Sequence, residues 1–256
     1  MLTLGYGEPG AKPIAERVGD LRLPDGRGPH PLAVVIHGGF WRAHYKRELM
    51  DGICEDLARR GWASWNIEYR RVGAGGGWPA TFDDVAAAVD QVALIAEKHH
   101  LDATRIVTVG HSAGGHLALW AALRHNIAPG VPGASPLVRP ALAIGQAAVA
   151  DLRRAATEKV GGSAVSDLMG GGPDEVPERY AAGSPIELLP ANTPTVLIHG
   201  TNDEVVPVSL SRGFVDEARR QGDDANLVVV QGGHFEHIDP CTEAWAAAVE
   251  RIECLS

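Results

Sequence analysis

The run Arg105-Ile-Val-Thr-Val109 passes without a break into Gly110-His-Ser-Ala-Gly114. The first half is β-branched and apolar, as a buried strand requires. The second half puts a lone serine between glycines. Ala113 to Arg124 then reads as a helix, with Leu117, Trp120 and Leu123 on a common face. Strand, tight turn and helix must therefore follow one another within about twenty residues. An idle glycine turn would satisfy this pattern. So would a nucleophile elbow, in which small residues two before and two after the serine let the chain turn sharply and push the hydroxyl outward.

The same alternation recurs along the chain. Leu32-Ala-Val-Val-Ile36 is a continuous apolar run, typical of a strand covered on both faces. Residues 46–60 look helical, with Leu49, Ile53 and Leu57 recurring and Gly61 as a stop. Trp62 to Tyr69 reads as a strand, and a glycine-rich loop (Gly73 to Gly77) precedes a helix over 82–98. That helix carries Thr81 as its N-cap and Val85, Val89 and Val92 as its buried stripe. Ala141 to Val149, Thr195 to Ile198 and Asn226 to Val230 are further strands, with helices over 208–221 and 241–253. Trp245, Val249 and Ile252 share one face of the last helix. Residues 152–192, with glycines at 161, 162 and 170–172 and prolines at 173, 177, 185 and 190, read as a lid-like insertion outside the core. Strands alternating with helices predict a single α/β domain with a mostly parallel sheet and helices on both faces.

Bulk properties exclude several classes. The 256 residues are 45% hydrophobic and 21% charged, which is enough for one sizeable core. A net charge of −9 argues against nucleic acid, because phosphate binding needs a basic face. Cys54, Cys241 and Cys254 are odd in number, lack CxxC spacing and fall in stretches read as helix, which points to a reducing, cytoplasmic setting. Glu8 and Pro9 interrupt the N-terminal stretch before any signal-peptide core can form, and no run is apolar enough to span a membrane. His99-His100 and the pair His234/His237 lack HExxH spacing, so no metal is expected. The expected partner is a small-molecule substrate without a cofactor, and a homodimer is compatible with these features.

In sheets of this kind, ligands bind beyond the carboxyl ends of the strands. Three polar motifs lie there: His37-Gly38-Gly39, Gly110-His111-Ser112 and His199-Gly-Thr-Asn-Asp203. A serine nucleophile needs a base to take its proton and an anion to orient that base. Asp203 follows the strand 195–198 by a short loop and is the candidate acid, with Glu204 and Asp151 as rivals. His234 follows the last strand and Gly232-Gly233 and is the candidate base, with His237 as its competitor. The oxyanion needs backbone N–H donors converging on one point. Ala113 supplies one at the helix start, and Gly39 and Phe40 supply the others. Side chains of His37, His116 and His199 read as structural, and that of His111 as turned away from Ser112.

HGGFW at 37–41, YRR at 69–71, GHSAGGHLA at 110–118, HGTNDEVVP at 199–207 and GGHFEHID at 232–239 together resemble the α/β-hydrolase superfamily. More narrowly they are similar to its esterase/lipase branch with an HGG oxyanion loop. HGGFW and the HLA after the elbow are most similar to serine-type kynurenine formamidases (arylformamidases). The resemblance spans residues 30 to 240. It implies Ser112 as nucleophile, Asp203 as acid and His234 as base, acting on a small acyl group such as formyl. Where lipase-type loops carry a third glycine this chain has Phe40, which implies a narrow acyl site. Trp41 would stack on an aryl leaving group. A small-acyl carboxylesterase shares most of these motifs, and a non-catalytic hydrolase-like binding module is the reading from a different class.

Overall fold

The computed structural model describes residues 1–7 and 14–255, so Glu8 and Pro9 lie outside the described residues. Eight strands form one sheet: β1 (Leu2–Gly5), β2 (Val18–Arg22), β3 (His30–Ile36), β4 (Ala63–Ile67), β5 (Leu101–His111), β6 (Leu142–Gln146), β7 (Thr195–Gly200) and β8 (Ala225–Val230). Their spatial order is β1-β2-β4-β3-β5-β6-β7-β8. The six strands from β4 to β8 run parallel, while β1 and β2 pair antiparallel at one edge.

Nine helices connect them among the described residues: α1 (Asp51–Arg59), α2 (Ala80–Asp90), α3 (Val92–Lys98), α4 (Ala113–Leu123), α5 (Leu152–Thr157), α6 (Ala164–Met169), α7 (Pro177–Gly183), α8 (Val208–Arg220) and α9 (Glu243–Glu253). Side chains of a strand alternate between the two faces, and β3 shows the consequence. Leu32, Val34 and Ile36 join the core under α2, α3, α4 and α8, whereas Ala33 and Val35 join the core under α1 and α9. Helix α4 is buried on every side, which explains its uniformly apolar and small residues (AGGHLALWAAL). This is the α/β-hydrolase fold that the motifs implied.

Four details differ from the expectations. Strands β1 and β2 had no sequence signal. The helix expected over 82–98 is interrupted at Gln91, which separates α2 from α3. Thr81 lies inside α2 rather than capping it: its Oγ1 accepts from Gly77 N and donates to the Arg70 carbonyl, which fixes the loop before the helix. The segment 152–192 is not peripheral to the core. Leu152, Val165, Leu168, Met169 and Tyr180 are each at most 1% exposed, and its glycines and prolines punctuate short helices that bury them. Of the cysteines, Cys54 is buried in α1, while Cys241 and Cys254 are exposed at the two ends of α9. No helix among the described residues is long and apolar enough to cross a membrane.

Candidate active site

Ser112 joins β5 to α4 with φ 57° and ψ −120°, a conformation costly for any residue with a side chain. Its N–H donates to the Gln146 carbonyl at 2.7 Å, which anchors the turn to β6. The flanking glycines are steric necessities. A Cβ on Gly110 would collide with the backbone of Gly114, and one on Gly114 with the carbonyls of Ile36 and His37. The helix can therefore start directly above the strand ends only with glycine at both places. Ser112 itself is 2% exposed.

Asp203 and His234 come together from the loops after β7 and β8. His234 Nδ1 lies 2.7 Å from Asp203 Oδ2. The carboxylate can only accept here, so Nδ1 carries the proton and Nε2 is left as a proton acceptor. The other oxygen of Asp203 accepts from Val205 N and Val206 N, both at 2.8 Å. Burial opposes ionisation of this carboxyl. Hydrogen bonds from His199, His234 and Val206 outweigh it and hold the group far below the ordinary carboxylate range. Glu204 is exposed, and Asp151 caps α5 by accepting from Arg154 N, so neither rival reaches the histidine.

His237 lies beside this pair but does not share in it. It is fully buried, and neither ring nitrogen has a partner among the described residues. Burial, reinforced by the nearby His199 and His234, pushes its pKa down to about 4. His199 spans Ser211 Oγ and the Val206 carbonyl, and its Nε2 also lies 3.4 Å from Asp203 Oδ2, so it touches the candidate acid as well. His116 bridges Trp41 Nε1 and the Gly183 carbonyl. His37 Nε2 lies 3.0 Å from Glu68 Oε1, and that carboxylate also accepts from Arg47 N and Tyr69 N. Glu68 thereby fixes the first residue of the HGG loop, a role that sequence reading missed.

His111, read from the sequence as diverging from Ser112, packs against the loop that carries His234. Its Nε2 donates to the His234 carbonyl at 2.8 Å, and the two rings lie 4.6 Å apart. Burial pushes its pKa down to about 3, so it stays neutral beneath the loop.

The loop Gly39-Phe40-Trp41 has three successive residues with positive φ, at 111°, 51° and 55°. Among the described residues, the N–H groups of Gly39, Phe40 and Ala113 have no acceptor. Trp41 corrects an expectation. It is fully buried, donates its indole N–H to His116 and does not line the cavity, so it supports the loop from beneath and cannot stack on a ligand. Ser112, His234, Gly39 and Phe40 line one cavity of about 70 Å³, closed by Tyr45, Leu49, Val205 and Phe235. Tyr45 and Phe235 form its exposed apolar rim. No group of three or more His, Cys, Asp or Glu side chains among the described residues could hold a metal ion.

The chain is 31% identical over 238 residues to a Mycobacterium tuberculosis protein named "Probable carboxylic ester hydrolase LipM", which covers 85% of this chain and 51% of that protein. It spans about half the length of the curated relatives it matches. A solved structure described as a truncated form of carbohydrate esterase from gut microbiota superposes with a TM-score of 0.84 at 21% identity, covering 100% of this chain and 96% of that one. A bifunctional GH43-CE protein of Bacteroides eggerthii gives 0.80 at 26% identity, covering 95% of this chain and 36% of that one. The family model BD-FAE matches residues 20–217, and the chain belongs to that family, an α/β-hydrolase esterase family.

Proposed function

We propose that this protein is a serine carboxylesterase for small acyl groups. The observation that carries this reading is the 2.7 Å bond from His234 to Asp203, with His234 and Ser112 lining one small cavity. His234 Nε2 takes the Ser112 proton as Oγ bonds to the acyl carbon. The oxyanion that forms is received by the N–H groups of Gly39, Phe40 and Ala113, at the N-terminal end of α4. Collapse of this intermediate expels the alkoxide, which takes the proton from His234. Water, deprotonated by the same Nε2, then cleaves the acyl-serine and restores the enzyme.

The cavity of about 70 Å³ is far smaller than a typical drug-sized site, which favours short acyl chains. Ester hydrolysis takes precedence because the named relatives are ester hydrolases. The arylformamidase reading draws its support from the small cavity volume, because formyl is the smallest acyl group. Steady-state kinetics on p-nitrophenyl acetate, p-nitrophenyl butyrate and N-formylkynurenine separate these readings. The esterase reading expects acetate to exceed both others in kcat/KM by about tenfold or more. A comparable preference for N-formylkynurenine would install the formamidase in its place.

A further inference from the structure

Three contacts tie the loop 37–42 to the segment 152–192. Arg42 reaches Ser163 Oγ at 3.1 Å and Asp167 Oδ2 at 2.9 Å. Trp41 is linked through His116 to the Gly183 carbonyl. The third contact has no polar atoms: the ring of Phe40 lies on Gly161, in the turn between α5 and α6. A methyl group on Gly161 would stand 2.6 Å from Phe40 Cδ1 and 2.8 Å from Cζ, well inside the ordinary carbon–carbon separation of about 3.5–4.0 Å.

The ring of Phe40 hangs from a constrained backbone. Its backbone has φ 51°, it is followed by Trp41 at φ 55°, and Trp41 is locked in the core. Phe40 also lines the cavity. A ring displaced towards the cavity enters the acyl space, and one that stays in place passes the clash to the Phe40 peptide.

We propose that Gly161 is a positioning residue for the oxyanion loop, its missing side chain providing the seat on which Phe40 sets the donor peptide and the acyl wall. This rests on the esterase reading above. It also gives the segment 152–192 a role in the chemistry, although none of its residues lines the cavity.

The neighbouring Gly162 is a built-in control. It has φ 72° against 70° for Gly161, but a Cβ there meets nothing within 4 Å. Gly161→Ala and Gly162→Ala thus impose the same backbone strain, and only the first touches Phe40. The experiment compares both variants, Phe40→Ala, Gly161→Ala/Phe40→Ala and Ser112→Ala on p-nitrophenyl acetate, with circular dichroism as the folding check. Gly162→Ala is expected to keep kcat within about threefold of the parent. Gly161→Ala is expected to lose roughly 30- to 100-fold, mainly in kcat rather than KM, the scale of a small misplacement of catalytic groups. In the double variant the methyl has no ring to displace, so its rate should match that of Phe40→Ala within about threefold.

Equal rates for the two single glycine variants would overturn the proposal. So would a double variant that carries the full Gly161→Ala loss in addition to that of Phe40→Ala. If Gly161→Ala does not fold, a folded double variant supports the proposal and an unfolded one overturns it. Persistent hydrolysis by Ser112→Ala would sink the esterase reading itself, a result independent of the glycine comparison.

Discussion

The ring of His111, next to the candidate nucleophile in sequence, donates from Nε2 to the main-chain carbonyl of His234 across 2.8 Å. The elbow therefore holds the loop that carries the base as well as presenting Ser112. His111→Phe keeps a ring but leaves the buried carbonyl without a donor, at a cost of about 1–3 kcal/mol. A melting point lower by roughly 2–12 °C is expected, with kcat/KM on p-nitrophenyl acetate reduced about tenfold. If calorimetry and kinetics both match the parent, the bond does not position the base.

Three buried histidines make the fold sensitive to acid. Burial pushes His111 down to about 3 and His116 and His237 down to about 4. Unfolded histidine titrates near 6.5, so below that pH the unfolded chain binds more protons than the native one. Stability is then complete above pH ~6.5 and falls as the pH drops from there towards 4, by on the order of 1 kcal/mol per unit for each histidine. Thermal melts between pH 7.5 and 4 should show this decline, and His237→Phe should make it shallower. A melting point independent of pH across that window would contradict the burial of these rings.

Asp203→Asn removes the charge that orients and stabilises protonated His234, while leaving an amide oxygen for Val205 N and Val206 N. A loss of roughly 10³- to 10⁴-fold in kcat is expected, the scale of the acid's contribution in a Ser-His-Asp triad. Glu204→Gln and Asp151→Asn should stay within about threefold, because neither side chain reaches His234. Kinetics on the three purified variants test the assignment, and equal effects at Asp203 and Glu204 would undo it.

Trp41→Phe tests whether that residue supports or binds. It deletes the donor to His116 Nδ1 at 3.2 Å in a fully buried site. The melting point should drop by several degrees, at a cost of about 1–3 kcal/mol. KM for aryl and alkyl acetates should shift by the same factor, since the indole is not in the cavity. A selective rise in KM for aryl esters would return Trp41 to the substrate site.

Much of the site could be read from the sequence because its constraints are local. The β-branched run ending at Val109 and the glycines at 110 and 114 dictate a strand-turn-helix without help from elsewhere. Ser112, Asp203 and His234 follow β5, β7 and β8 in that order, and this order marked the candidate site. Choosing His234 over His237 was beyond periodicity, because only the folded loop shows which ring meets Asp203. Strand β2 (VGDLR) gave no signal since its pairing is tertiary: Gly19 lies against the ring of Trp65, where a Cβ would be 2.6 Å from Cη2. The short helices of 152–192 are six or seven residues long, too short to display a helical period, so their buried apolar residues passed for loop. The stacking role of Trp41 came from the resemblance, and its burial against His116 of α4 is a tertiary contact that the sequence does not display.

The central claim is that Ser112 is the nucleophile, and intact-protein mass spectrometry with a fluorophosphonate probe tests it most directly. One phosphonyl adduct per chain, mapped to Ser112 and accompanied by loss of p-nitrophenyl acetate hydrolysis, is expected, with neither labelling nor hydrolysis in Ser112→Ala. A folded Ser112→Ala variant that still hydrolyses the ester at the parent rate, or an adduct on another residue, would contradict the account.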